Sequence, residues 1–428
     1  MQKVLIITYY WPPAGGPGVQ RWLKFARYLR EFDVEPVIYT PSNADYPVLD
    51  QELEKELPEG IRVHRRPIFE PYRLARFFSR EKTDVIRTGI IPSDRQSLMD
   101  RLLLWIRGNL FIPDARKFWV KPSIRFLQEL HKKEAFDTII TTGPPHSVHL
   151  IGLQLKEQLK ITWCADFRDP WTSIGYHKQL KLGNAAKKKH LRMEKQVLNT
   201  ADWILVTSNT TKKEFEGITS KPVHVITNGY DLGYEKPEVP DSGFTISHIG
   251  SLLSKRNPEN LWKILGELLQ ENSEMRKHLK LQLIGLVSQE VLDSLEKHGL
   301  ITYTQRVDYV PHEEAIQYQK KSQVLLLLEI DAEETRGIIP GKLFEYLAAR
   351  RPVLAVGPKE WEAGDLLVST GAGRVFNYQE ESGLKKVILE WFKKYQSGNL
   401  NVKETQITQF SRRELTRKLA QLLHGNRI

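Results

Sequence analysis

The sequence predicts an α/β protein built from two doubly wound, Rossmann-like domains that face each other across a cleft. Three observations carry this expectation. Short apolar runs rich in β-branched residues alternate along the chain with segments whose apolar residues recur at helical spacing. The alternation breaks after Tyr230, in the Pro-, Gly- and acid-rich "DLGYEKPEVPDSG", and then resumes. At 428 residues the chain also exceeds what one hydrophobic core usually serves.

The first series opens with strand-like "KVLIITYY", the loop "WPPAGGPG" and helix-like "VQRWLKFARYLREF". It continues through "VEPVIYTP", "FDTIITTGPPHS" into "VHLIGLQLKEQL", "ITWCADFRDPW", "ADWILVTSN" into "TTKKEFEG", and "VHVITNGYD". The second runs from "FTISHIGSL" through "NPENLWKILGELLQ", "LKLQLIGLV", "SQEVLDSLEKHG", "ITYTQRVDYV", "PHEEAIQYQKK" and "QVLLLLEID" to "GIIPGKLFEYLAARRPVLAVG". These patterns assign residues 1–231 to a first domain, 232–243 to a linker and 244–408 to a second. The amphipathic segment at 409–425 can pack back on the first domain. In parallel sheets of this kind chemistry collects at the C-terminal ends of the strands, where helix starts and glycine loops converge.

Composition narrows the function classes. Hydrophobic content of 40% and charged content of 27% are ordinary for a globular protein. The longest apolar runs, such as Val324 to Leu328, are far too short to cross a bilayer. The chain passes directly from Met1 into a strand pattern, and its one cysteine, Cys164, reads as a small core residue, so the expected compartment is the reducing cytoplasm. A net charge of +11 favours polyanionic partners. Nucleic acid ranks last among these, because no recognisable reading module is present.

Two segments read as phosphate sites. In "IIPGKLFEY", Pro340 suits the first helical position, and the amides of Gly341, Lys342 and Leu343 then lack intrahelical acceptors. Lys342 adds a full charge to this helix start, and Glu345, one turn in, suits a ribose diol. In "HIGSLLSKRNPENL" a strand ends at Gly250, followed by Lys255 and Arg256, and an arginine grips a diphosphate in a bidentate fork. Gly15, Gly16 and Gly18 allow close backbone approach to a diphosphate or an acceptor, but they lack the G-x-G-x-x-G spacing of a dinucleotide site.

With these pieces in order, the chain resembles a GT-B-fold glycosyltransferase of the family 4 type over nearly its whole length. The resemblance rests on "YYWPPAGGPGVQRW", "TTGPPHS", "ADFRDPW", "ITNGYD", "HIGSLLSKRNPENL" and "PGKLFEYLAARRPVLAVG". It implies a nucleotide-sugar donor in the second domain, an acceptor in the first, and hexosyl transfer with retention to a glycan or lipid-linked acceptor. It also implies a role in cell-surface polysaccharide or glycolipid synthesis. By position Glu345 is similar to the second glutamate of the family's pair, while Gly337 stands where the first belongs and Ser251 where an arginine is frequent. The resemblance places the nucleobase along Val307 to Val310.

Transfer then rests on stabilising the departing diphosphate through the Gly341 amide cluster, Arg256 and Lys342. No Asp-x-Asp triplet is present, so neither metal nor cofactor is expected. On the acceptor side Asp166 or Asp169 is the candidate proton acceptor, Arg168 the group that orients it or a phosphate, and His146 a further catalytic candidate. Asp166, Arg168 and Asp169 can equally form an internal ion pair that organises the loop. From Pro71 to Lys133 the sequence carries 14 Lys and Arg against 6 Asp and Glu, interleaved with Trp and Phe. That mixture suits peripheral contact with an anionic membrane. Competing readings are a nucleotide-sugar epimerase of the same fold and a degenerate nucleotide-sugar-binding protein.

Overall fold

The computed structural model describes residues 1–71, 98–175, 177, 180–231, 238–402 and 407–425. It divides into two compact units, Met1–Thr227 with Arg412–Ile428, and Asn228–Ser411. The boundary precedes the sequence-based one because the Tyr230 amide already donates to the Phe410 carbonyl. Of the expected linker, 232–237 lie outside the described residues, as do 403–406 of the expected second domain. Asp241 belongs to the second unit, its amide bonded to the Lys321 carbonyl at 2.8 Å.

The first unit is a seven-stranded parallel sheet of β1 (Gln2–Thr8), β2 (Val34–Pro41), β3 (Arg62–Arg66), β4 (Thr138–Gly143), β5 (Thr162–Phe167), β6 (Trp203–Val206) and β7 (Val223–Val225). Its order is β3-β2-β1-β4-β5-β6-β7. Helices cover both faces, so β1 and β4 are buried almost throughout rather than on alternate residues, and the three threonines of β4 are buried with its two isoleucines. The edge strand β3, "RVHRR", ends in exposed arginines that discourage further strand pairing. The helix Arg412–Gly425 returns to this unit, where Gln2 Nε2 donates to the Leu423 carbonyl (3.3 Å) and Arg412 to Gln20 (3.0 Å).

The second unit is a six-stranded parallel sheet of β8 (Phe244–Ile249), β9 (Leu279–Ile284), β10 (Thr304–Val307), β11 (Val324–Leu328), β12 (Val353–Val356) and β13 (Gly373–Phe376). Its order is β10-β9-β8-β11-β12-β13. Along β11 the side chains of Val324, Leu326 and Leu328 enter one buried cluster, and Leu325 and Leu327 the other. This two-residue period, buried on both sides, explains the unbroken apolar run.

In each sheet the strand order reverses once, between β1 and β4 and between β8 and β11. Loops leaving those strand pairs diverge to opposite faces and leave a crevice beyond the carboxyl ends. No helix among the described residues is long and apolar enough to cross a membrane. Cys164 is buried in β5, and burial raises its thiol pKa well above the usual range, in keeping with a core residue.

Candidate functional site

In the first unit the candidate residues lie at the end of β5 and on the connections that follow β1, β4 and β5, Gly18 already in the first turn of the Pro17–Leu29 helix. Asp166 ends up fully buried. Its Oδ2 accepts from the Trp22 indole (2.8 Å) and the Thr142 hydroxyl (2.7 Å), and Oδ1 faces Arg21 Nη2 at 3.3 Å. Arg21 also donates to the carbonyls of Ile226 (2.8 Å) and Thr227 (2.7 Å). Burial lowers the Arg21 pKa, against the pull of Asp166. The internal ion pair of this region is thus Asp166 with Arg21, and it ties the Pro17–Leu29 helix to the end of β5 and to the segment after β7.

Asp169 sits differently. It is half-buried, with no hydrogen bond among the described residues. Burial raises its carboxyl pKa above the ordinary value, with Arg168 opposing and Asp166 reinforcing the shift. Arg168 is fixed by Nε on the Gly143 carbonyl (3.2 Å) and Nη2 on the Pro144 carbonyl (2.5 Å). A Cβ at Gly18 would lie 1.5 Å from Arg168 Nη1, so the missing side chain is what lets the guanidinium rest on the first turn of the helix. A cation at a helix N-terminus meets the positive end of the helix dipole, and an anion placed there satisfies both. Gly16 (φ +105°) has open space where a side chain would be, whereas Gly15 packs against Val48 and Asp50.

His146 is buried and stacked on Trp171, with centroids 4.9 Å apart and planes 3° apart. Neither of its ring nitrogens has a partner among the described residues. Burial first, then the neighbouring His149, His177 and Arg168, push its pKa well below the ordinary range, so the ring is neutral. A buried neutral imidazole with both nitrogens unpaired is costly unless something polar reaches it. His149 beside it is pushed down to about 3 by burial, and its Nδ1 is 2.9 Å from the Thr141 hydroxyl.

In the second unit the helix Gly341–Ala348 starts one residue later than the sequence predicts, with Pro340 as its cap. The Leu343 amide donates to the Pro340 carbonyl at 3.0 Å, so this member of the expected amide trio is engaged within the turn. Lys342 reaches across the β8–β11 switch point, its Nζ donating to the Ile249 carbonyl at 2.7 Å. Gly250, at φ +113°, makes room: a Cβ there would lie 2.8 Å from that ammonium. Burial, then Arg256, push Lys342 down to about 8, against the pull of Glu329 and Glu345.

Arg256 points into the same crevice, with Nε and Nη2 both on Glu329 Oε1 (3.1 and 2.9 Å). Lys255 is exposed beside it. Glu345 carries two partners that sequence reasoning missed, His312 Nε2 at 3.0 Å and Gln319 Nε2 at 2.9 Å. These two hydrogen bonds help fix the orientation of the carboxylate. At the expected base segment, the Val307 carbonyl accepts from the Gly285 amide (2.8 Å), and Val307 and Val310 pack partly buried against the core. β10 is the outermost strand of its sheet. Glu329 was also missed, although an acid closing the run "VLLLL" is a legible strand-end signal.

Residues 87–234 match the profile of Glycosyltransferase Family 4. No curated protein matches the chain in sequence. Among solved structures, sucrose-phosphate synthase from Thermosynechococcus elongatus is 14% identical, with a TM-score of 0.64 over 100% of this chain and 99% of that one. S. aureus TarM, solved with UDP, is 10% identical, with a TM-score of 0.59 over 99% of each chain. A putative UDP-N-acetylglucosamine 2-epimerase from Listeria monocytogenes is 9% identical, with a TM-score of 0.55 over 99% of this chain and 96% of that one. The chain thus matches the Glycosyltransferase Family 4 profile over residues 87–234 and shares the GT-B fold of these solved glycosyltransferases.

Proposed function

We propose that this protein transfers a hexosyl group from a nucleotide-sugar, held by the Asn228–Ser411 unit, to a glycan or lipid-linked acceptor held by the first unit. The reaction proceeds without a metal and with retention, in the synthesis of a cell-surface polysaccharide or glycolipid. The observation that carries this reading is the pairing of Lys342 and Arg256 at the β8–β11 switch point, beside the start of the Gly341–Ala348 helix. Two cations and a helix dipole meet where a diphosphate leaves with growing negative charge. Glu345 is assigned to the ribose, the segment Val307 to Val310 to the base, and the Arg168–Gly18 corner to an anionic group of the acceptor. Asp169 is the proton-accepting candidate that stays half-exposed.

Incubation of the protein with UDP-, GDP- and ADP-sugars, with and without EDTA, tests this. Release of one nucleoside diphosphate that depends on an added acceptor and is unchanged by EDTA is the expected result. Conversion of the sugar nucleotide into an epimer without an acceptor would establish the epimerase reading instead. Binding without any turnover would leave a nucleotide-sugar-binding protein.

We also assign the membrane contact to the first unit. Residues 72–97 of the basic stretch lie outside the described residues, but Phe69, Leu102, Trp105, Leu110 and Phe118 are exposed large apolar side chains. The Lys117 ammonium lies 5.3 and 5.2 Å from the rings of Phe111 and Phe118. Asn109 joins the Leu98–Leu110 helix to Gly183, just before the helix Asn184–Thr200 with its exposed Lys187, Lys188 and Lys189. Apolar groups flanked by this charge suit an anionic lipid surface. Sedimentation with phosphatidylglycerol-containing vesicles is expected to exceed that with phosphatidylcholine alone, to fall with added salt, and to drop in Trp105→Ser. Equal sedimentation with both would contradict the assignment.

A further inference from the structure

We infer that Glu329 is a positioning residue for the diphosphate end of the donor: it fixes the Arg256 guanidinium and supplies the negative charge that lets Arg256 and Lys342 stand together. This rests on the nucleotide-sugar reading above. Glu329 directly follows β11, at the point where the strand order of the second sheet reverses. It is 1% exposed, and its Oε1 collects three donors: Arg256 Nε, Arg256 Nη2 and the Ile330 amide at 2.9 Å. Its backbone is held on both sides, the amide by the Val356 carbonyl (3.0 Å) and the carbonyl by the Tyr378 hydroxyl (2.8 Å).

Arg256, by contrast, stands on the short turn Ser254–Arg256, which buries no residue, and its side chain is about one-third exposed. A rigid buried carboxylate therefore orients a side chain that would otherwise sample solvent. Nη1 of Arg256 carries no hydrogen bond among the described residues, so one edge of the fork remains for an oxyanion. A pair of this kind gains little stability over apolar packing, but it fixes geometry.

The groups facing Lys342 are Arg256, Glu329, Glu345 and His248. His248 is buried and held neutral, so the carboxylates alone oppose Arg256. Removing the charge at 329 leaves Arg256 acting on Lys342 with less compensation, and the ammonium then loses its proton at lower pH.

The test is calorimetric titration of the full chain with the cognate nucleoside diphosphate and monophosphate from pH 6 to 9, in wild type and Glu329→Gln. The variant is expected to bind the diphosphate about tenfold more weakly at neutral pH, with little change for the monophosphate. The pH above which diphosphate binding falls is expected to move down from near 8. A merely structural role would weaken both nucleotides alike and leave that pH in place, and this result would overturn the inference. Should Glu329→Gln fail to fold, Arg256→Gln gives the opposite sign: with Glu329 retained and the competing cation gone, the pH of weakening should rise. An unchanged pH in Arg256→Gln would overturn the inference as well. A wild-type chain that binds no nucleoside diphosphate sinks the donor-site reading together with this one, whereas wild-type binding with unaltered variants sinks this one alone.

Discussion

Lys342→Ala is expected to lower kcat/KM for the nucleotide-sugar by about 10²–10³-fold, measured in steady state on protein whose circular dichroism is unchanged. The expectation follows from where the ammonium is held. It belongs to the second residue of the Gly341–Ala348 helix and is anchored on the Ile249 carbonyl at 2.7 Å. Space around it is limited, since even a Cβ at Gly250 would lie 2.8 Å from the ammonium. Lys342→Arg should therefore rescue little, although the charge is kept. The wild-type enzyme adds a pH signature. An ammonium pushed down to about 8 is charged below that pH and neutral above it, so donor KM should rise as pH passes upward through 8. A flat KM between pH 7 and 9 would remove Lys342 from the diphosphate site.

The second large effect separates two aspartates only three residues apart. Asp169→Asn should fold as wild type and lose about 10²–10⁴-fold in kcat, because a half-buried carboxyl without a hydrogen-bonded partner among the described residues is available for proton transfer. Asp166→Asn should instead act on stability. Its carboxylate is the counter-charge of the buried Arg21, and leaving such a cation unpaired costs roughly 3–5 kcal/mol, lowering the thermal midpoint by about 5–15 °C. Full turnover by folded Asp169→Asn would take this residue out of the reaction. An unshifted melting curve for Asp166→Asn would contradict its bracing role.

The same pair shows what a sequence makes legible here. Strand and helix patterns are local, and "KVLIITYY", "FDTIITTGPPHS" and "QVLLLLEID" led directly to β1, β4 and β11. The acids and the arginine of "ADFRDPW" were visible too, but their neighbours in sequence suggested a pairing with Arg168. The ion pair is made with Arg21, 145 residues away, because β1 and β5 both flank β4 and the first turns of the helix after β1 bring Arg21 and Trp22 to Asp166 at the end of β5. The same reason hides the partners of Glu345. His312 and Gln319 lie 33 and 26 positions earlier, on a helix whose polar residues look merely solvated in one dimension. Glu329 and Arg256 are 73 residues apart and meet only because β8 and β11 are adjacent in the sheet. Helix-start details are also beyond pattern reading. The turn that engages the Leu343 amide depends on Pro340 taking an extended backbone (ψ 134°) as the cap rather than joining the helix.

The central claim is that the Gly341–Ala348 helix start, with Lys342 and Glu345, holds the nucleotide of the donor. Differential scanning fluorimetry against UDP, GDP, ADP and their sugars measures it most directly. The account predicts that one nucleotide raises the melting temperature, that EDTA leaves the shift in place, and that Glu345→Ala abolishes it. No shift from any nucleotide at millimolar concentration, or an undiminished shift in Glu345→Ala, would contradict it.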